Sequence, residues 1–64
     1  MRANDRVILA RDIRASIDGR IIPEGTQGTI LYKMSGSGRN TFEVDFGEHG
    51  IAICMKEDLE PVRE

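Results

Sequence analysis

Turn-forming segments that contain glycine recur at short intervals along this chain, and no stretch between them is long enough for an ordinary helix. Between the turns, apolar and polar residues alternate with a period of two, which is the pattern of half-buried strands. The alternation predicts five short strands joined by turns. They lie at residues 6–17, 29–34, 41–46, 51–55 and 60–62.

The first of these stretches is the least regular. Ile13 and Ile17 fall on odd, apolar positions, which favours a strand, and Asp18 and Gly19 then predict a two-residue hairpin turn from which the chain folds back. A short helix that begins at Asp12 is the alternative. We prefer the strand, because Gly19 would end that helix within two turns.

The later segments give clearer signals. Pro23 suits the second position of a turn, and Gly25 can take the positive φ that completes it. Gly28 indicates a bulge or a close approach of two backbones. Residues 35–40 have the composition of an exposed tip, and residues 56–59 are expected to form one tight turn before the last strand. In the strand predicted at residues 41–46, the side chains expected to face the core are Phe42, Val44 and Phe46.

An all-β domain of this size would leave two strand edges and one bare face if its sheet stayed open, so we expect a small five-stranded closed barrel that spans residues 1–64. A chain of 64 residues has room for one core only. With Cys54 as its single cysteine and His49 as its single histidine, it has neither an internal disulfide nor a structural Cys/His zinc site. Association with other subunits is then the common remaining means of stabilisation.

Charge is distributed unevenly along the chain. The formal net charge is -2, yet the first twenty residues are basic and residues 43–60 are acidic. We expect the two ends to pair with each other inside one barrel rather than with an external partner. No apolar run is long enough to span a membrane and the chain begins without the apolar stretch of a signal peptide, so we expect a cytoplasmic protein with a reduced Cys54 and no membrane partner.

The order of these signals resembles SH3-like barrels. It is similar in particular to a family of short bacterial proteins of unknown function with the pattern GxxGTV, YEVEF and DLxxV, which appears here as residues 25–30 (GTQGTI), 41–46 (TFEVDF) and 58–62 (DLEPV). The resemblance covers nearly the whole chain and implies the fold. It leaves function open, because one fold carries many functions.

Similar barrels occur in accessory subunits of photosystem I and of ferredoxin-thioredoxin reductase, in a nitrile hydratase domain and in ribosome-associated modules. A plasmid-borne type of dihydrofolate reductase is an enzymatic relative that builds one active site from four subunits. Its ligands are bound by a Val-Gln-Ile-Tyr stretch, whereas the nearest equivalent here, residues 51–54 (IAIC), lacks the amide and the phenol. The resemblance therefore does not extend to that activity.

Three groups of residues could carry chemistry, and each has a simpler interpretation. Glu43, Asp45, Glu48 and His49 have the composition of a metal site, but their alternation indicates a solvated strand face, and whether they bind a metal stays open. Cys54 stands in an apolar strand, which favours packing over nucleophilic chemistry. The third group is the glycine-rich segment with Gly36, Gly38 and Arg39. It lies between two predicted strands rather than before a helix, so a phosphate-binding loop is not expected.

These patterns predict a non-catalytic module that has no cofactor or metal and acts by protein association, with itself or as an accessory subunit, through the hairpin at residues 11–24 and an exposed edge strand. Nucleic-acid binding by the amino-terminal arginines, Arg2 and Arg6 included, is the alternative; it is less favoured because few aromatic residues are available for stacking. An enzyme site shared between subunits is the third hypothesis. The candidate partner-binding residues are Arg11, Arg14, Ile17, Arg20, Ile21, Ile22 and Tyr32.

Overall fold

The structure, a computed structural model, describes residues 2–34 and 41–62. Within them the chain is all-β, as the alternation predicts, and its only helical segments are single 3₁₀ turns at Gly47–His49 and Lys56–Asp58. The strands are β1 (Arg6–Leu9), β2 (Ile13–Arg14), β3 (Ile21–Ile22), β4 (Gln27–Met34), β5 (Thr41–Asp45), β6 (Ile51–Met55) and β7 (Leu59–Pro61). No helix in this part of the chain has the length and apolar character needed to cross a membrane. The tip predicted at residues 35–40 lies outside the described residues.

Five strands form one antiparallel sheet in the order β6-β5-β4-β1-β7, and β2 pairs with β3 in a separate hairpin. Within the described residues the large sheet ends at β6 on one side and at β7 on the other, so the expected closure into a barrel is not present. The 3₁₀ turn at Lys56–Asp58 leads from β6 to β7, which pairs with β1 and not with β6; Asp58 O accepts the Ala10 N–H at 2.8 Å beside that pairing.

The predicted first strand is broken in two. β1 ends at Leu9, whose carbonyl accepts the Gly25 N–H at 2.9 Å, and β2 begins only at Ile13. The break lets Asp12 turn its carboxylate toward the Glu24 N–H at 2.7 Å. The short-helix alternative is wrong, because the residues that would form it belong to β2 and the hairpin.

The hairpin has a longer loop than the sequence predicts. The ladder ends with the pair Arg14 and Ile21, and just beyond it the Ala15 N–H donates to Arg20 O at 2.8 Å, so four residues rather than two separate the bonded arms. Gly19 supplies the positive φ of 70°. The ladder stops there because the next residue, Ser16, donates its N–H to Ile51 O at 2.9 Å and so ties the hairpin to β6.

The core lies between the inner face of the sheet and the hairpin. Phe42, Val44 and Phe46 face it, as predicted. On β6 the inward residues are the small ones, since Ala52 lies opposite Val44 and Cys54 lies opposite Phe42. A large side chain on one strand thereby fits beside a small one on the next, as close packing requires. The other buried residues are Val7, Leu9, Ala15, Ile22, Ile30 and Leu59.

Both glycine predictions are confirmed. Gly25 has φ 89° in the turn after Pro23. At Gly28 the backbone of β4 passes so close to Phe46 that a Cβ atom would lie 2.6 Å from the Cδ1 atom of the ring.

Candidate protein interaction surface

The outward side chains of β4, β5 and β6 form an apolar face with an acidic centre. Tyr32 pairs with Glu43 across β4 and β5, and Glu43 pairs with Ile53 across β5 and β6, so these three side chains stand in one row. Tyr32 and Ile53 are each 48% exposed. We call this surface the outer sheet face. Its members are Tyr32, Glu43, Asp45, Ile51, Ile53 and Met55.

Glu43 acts on its neighbour Tyr32 in this row. Side-chain hydrogen bonding with Glu43, and secondly the negative charge of Glu43, raise the pKa of Tyr32 above its ordinary value. A bulge between Ile30 and Tyr32 makes this pairing possible. Strict alternation from the buried Ile30 would turn Tyr32 toward the core, and the extra residue Leu31 turns it outward instead.

The β6 edge beside this face is blocked at both ends. Ile51 O accepts both the N–H and the Oγ–H of Ser16 at 2.9 Å, and the Met55 N–H donates to Asp58 Oδ2 at 2.9 Å. Because backbone groups alternate in direction along an antiparallel strand, Ile53 is the residue between these two bonds whose N–H and C=O point to the edge. One residue is too short for an added strand.

The β7 edge is closed as well. Hydrogen bonds from Ala10 to Asp58 and from Val62 to Arg6 fix the ladder with β1, so Leu59 and Pro61 turn their backbone groups outward. The Leu59 N–H is already bonded to Lys56 O, and Pro61 has no N–H. The expectation that an exposed edge strand forms the interface is thus not supported by either edge.

The hairpin carries the second exposed apolar group. Arg14 and Ile21 pair on its outer side, and Ile17 at the tip is 85% exposed. We call Arg14, Ile17, Arg20 and Ile21 the hairpin surface. The prediction that Ile22 belongs to such a surface is wrong, because Ile22 lies on the opposite side of β3 and is fully buried in the core.

The predicted arginines are mostly engaged within the chain. Arg11 Nε lies 2.7 Å from Asp58 Oδ1, which confirms the predicted pairing of the basic start with the acidic end at this point. Arg20 pairs with Asp18 at 3.3 Å, and the Arg14 guanidinium donates to Gly19 O at 3.3 Å. Arg11 therefore has a structural role, whereas Arg14 has no carboxylate partner among the described residues.

The groups that could carry chemistry are not assembled into a reactive site in the described part of the chain. Cys54 is buried. Burial, and to a lesser extent the nearby negative charge of Asp58, raises the pKa of its thiol to about 12, so the thiol stays protonated and unreactive. No three of the described His, Cys, Asp and Glu residues come together as metal ligands, and Asp45 instead accepts the Gly47 N–H at 2.8 Å. The glycine-rich segment with Gly36, Gly38 and Arg39 lies outside the described residues.

A shallow cleft of about 240 Å³ lies between β1, β4 and the Gly47–His49 turn. Two of its polar lining residues bond to each other, since the Arg6 guanidinium donates to Gln27 Oε1 at 3.4 Å. Neither a cysteine, a serine nor a histidine is among the described residues that line the cleft.

Sequence reasoning selected Tyr32 and the hairpin residues but missed Glu43 and Ile53 as members of one surface. The sequence did contain a signal for Ile53, because alternation over residues 51–55 places three large side chains on one face of the strand and two small ones on the other. Scans against protein-family models, curated proteins and solved structures find no match to this chain.

Proposed function

We propose that this chain is a non-catalytic module that binds protein through its outer sheet face. The observation that carries the proposal is the row formed by Tyr32, Glu43 and Ile53, in which two large and half-exposed side chains flank a carboxylate. Aromatic residues such as Tyr32 are enriched in protein interfaces, and a carboxylate between exposed apolar side chains offers a partner an electrostatic contact that fixes its orientation.

The strand order supports an SH3-like module as the architecture. A long hairpin between β1 and β4, the central antiparallel strands and a 3₁₀ turn before the last strand follow one another as in SH3-like proteins. One aromatic residue on the outer sheet face is too few to line a groove for proline-rich peptides. We therefore propose the architecture without the peptide specificity.

Protein binding is favoured over the alternatives by what the polar residues do. Arg6, Arg11 and Arg20 bond to acceptors of their own chain, which weakens the case for phosphate binding. The buried, protonated Cys54 is unsuited to nucleophilic catalysis. A single free, buried thiol also suits a reducing, cytoplasmic setting, which is part of the proposal.

Photo-crosslinking tests the proposed function. Benzoylphenylalanine replaces Tyr32 or Ile53 on the outer sheet face, and Glu60 on β7 serves as an exposed control. Each protein is irradiated in an extract of its own cells, and the products are identified by mass spectrometry. Positions 32 and 53 should crosslink to a defined protein several-fold more than position 60. Equal yields at all three positions, or no products, would overturn the proposal.

A further inference from the structure

We propose that the protein which covers the outer sheet face is a second copy of this chain, docked through its hairpin surface. The inference rests on the proposed function and adds to it the identity of the partner. Both surfaces are present on every copy, so the contact needs no other component.

Charge complementarity favours this occupant. The outer sheet face carries the carboxylates of Glu43 and Asp45. Asp45 lies in one row with Thr29 and with Arg6 of β1, whereas the row of Glu43, formed with Tyr32 and Ile53, contains no lysine or arginine. On the hairpin surface Arg20 is paired with the neighbouring Asp18, so Arg14, which among the described residues bonds only to the Gly19 carbonyl, supplies the net positive charge. Surfaces of opposite sign steer two molecules together and disfavour like-charged arrangements, so a face would meet a hairpin rather than another face.

The apolar groups complement each other in the same way. Ile17 and Ile21 project from the hairpin, and Tyr32 and Ile53 lie on either side of Glu43. Docking would place the isoleucines of one copy against the apolar flanks of the other while Arg14 approaches the carboxylate between them. The central contact is then an arginine and a carboxylate surrounded by apolar side chains, which excludes water from the ion pair.

The size of the molecule and its blocked sheet edges limit the ways in which two copies can associate. A specific interface takes about 800 Å² from each partner, less than a fifth of the 4514 Å² surface of this chain. Extending the sheet through β6 or β7 is blocked by the bonds of Ser16 and Asp58 and by Pro61. Two copies therefore associate through side chains rather than by strand addition.

Charge reversal with a complementary mixture tests the contact. Arg14→Glu and Glu43→Lys each place like charges in the docked pair, whereas an equimolar mixture restores opposite charges at the Arg14 and Glu43 positions. Self-association is measured by sedimentation over a concentration series up to about 1 mM, the weak end of specific affinities. Arg2→Glu and Glu60→Lys are matched controls that change the net charge by the same amounts at exposed positions elsewhere.

We expect wild type and both controls to self-associate, each reversal alone to weaken association by about tenfold or more, and the mixture to restore it. Dimers and longer rows both support the contact. Association that survives both reversals overturns it, and so does a mixture that stays monomeric. A monomeric wild type whose positions 32 and 53 crosslink to a different protein overturns this inference alone. A monomeric wild type without such products overturns the proposed function as well.

Discussion

Replacing Gly28 with alanine should destabilise the fold through one identifiable collision. The new Cβ would lie 2.6 and 2.8 Å from two carbons of the Phe46 ring and 2.9 Å from the carbonyl oxygen of Asp45. The ring is buried and the oxygen belongs to the backbone, so neither can move away freely. Overpacking of this kind costs about 1–3 kcal/mol, and the lower chain entropy of alanine offsets roughly 0.5–1 kcal/mol.

We therefore expect Gly28→Ala to lower the free energy of unfolding by about 1–2 kcal/mol, which corresponds to roughly 5–15 °C in Tm for a domain of this size. Urea denaturation followed by circular dichroism measures the difference, with Gln27→Ala on the same strand as an exposed control. In a Phe46→Leu background the cost should shrink, because the ring carbons are absent. A neutral Gly28→Ala, or an equal cost in both backgrounds, would refute the reasoning.

Two further predictions concern the turn at Lys56–Asp58 and the buried thiol. Asp58→Ala should lower the free energy of unfolding by about 1–3 kcal/mol, because the Asp58 carboxylate is largely buried and bonds to both the Met55 N–H and Arg11. Arg11→Ala, at the exposed end of the ion pair, should lower it by less than about 1 kcal/mol. Equal losses in urea denaturation would contradict this account. Above pH 9, where an unfolded thiol ionises, the native state keeps the Cys54 proton up to about pH 12. Relative to Cys54→Ala, wild type should lose up to about 1.4 kcal/mol of stability per pH unit in that window, and a constant difference would contradict the burial of the thiol.

The parts of the fold that depend on local chemistry could be predicted from the sequence. The turn at Gly25, the close approach at Gly28 and the inward side of β5 each follow from residue type and alternation over a few positions. The loop length of the hairpin could not be predicted, because Ser16 is held by Ile51, a residue 35 positions away. The open sheet likewise depends on where the turn after β6 directs the chain.

The proposed interaction surface could be predicted only in part, because its members come from distant segments of the chain. Ile17 lies within the hairpin turn and Ile21 follows it, and both are exposed, whereas the next residue, Ile22, is buried because β3 alternates sides. Grouping Tyr32 with Glu43 and Ile53 needs the register of three strands and the bulge at Leu31, which no single segment encodes.

Nuclear magnetic resonance spectra recorded on dilution test the central claim most directly. In ¹⁵N-labelled wild type, the amide signals of Glu43 and Ile53 on the outer sheet face and of Arg14 and Ile21 on the hairpin surface should shift together, with one concentration midpoint. The amide of Glu60 on β7 should stay in place. Spectra that are independent of concentration, or shifts confined to β7 or to the cleft near Gly28, would contradict the claim that these two surfaces bind each other.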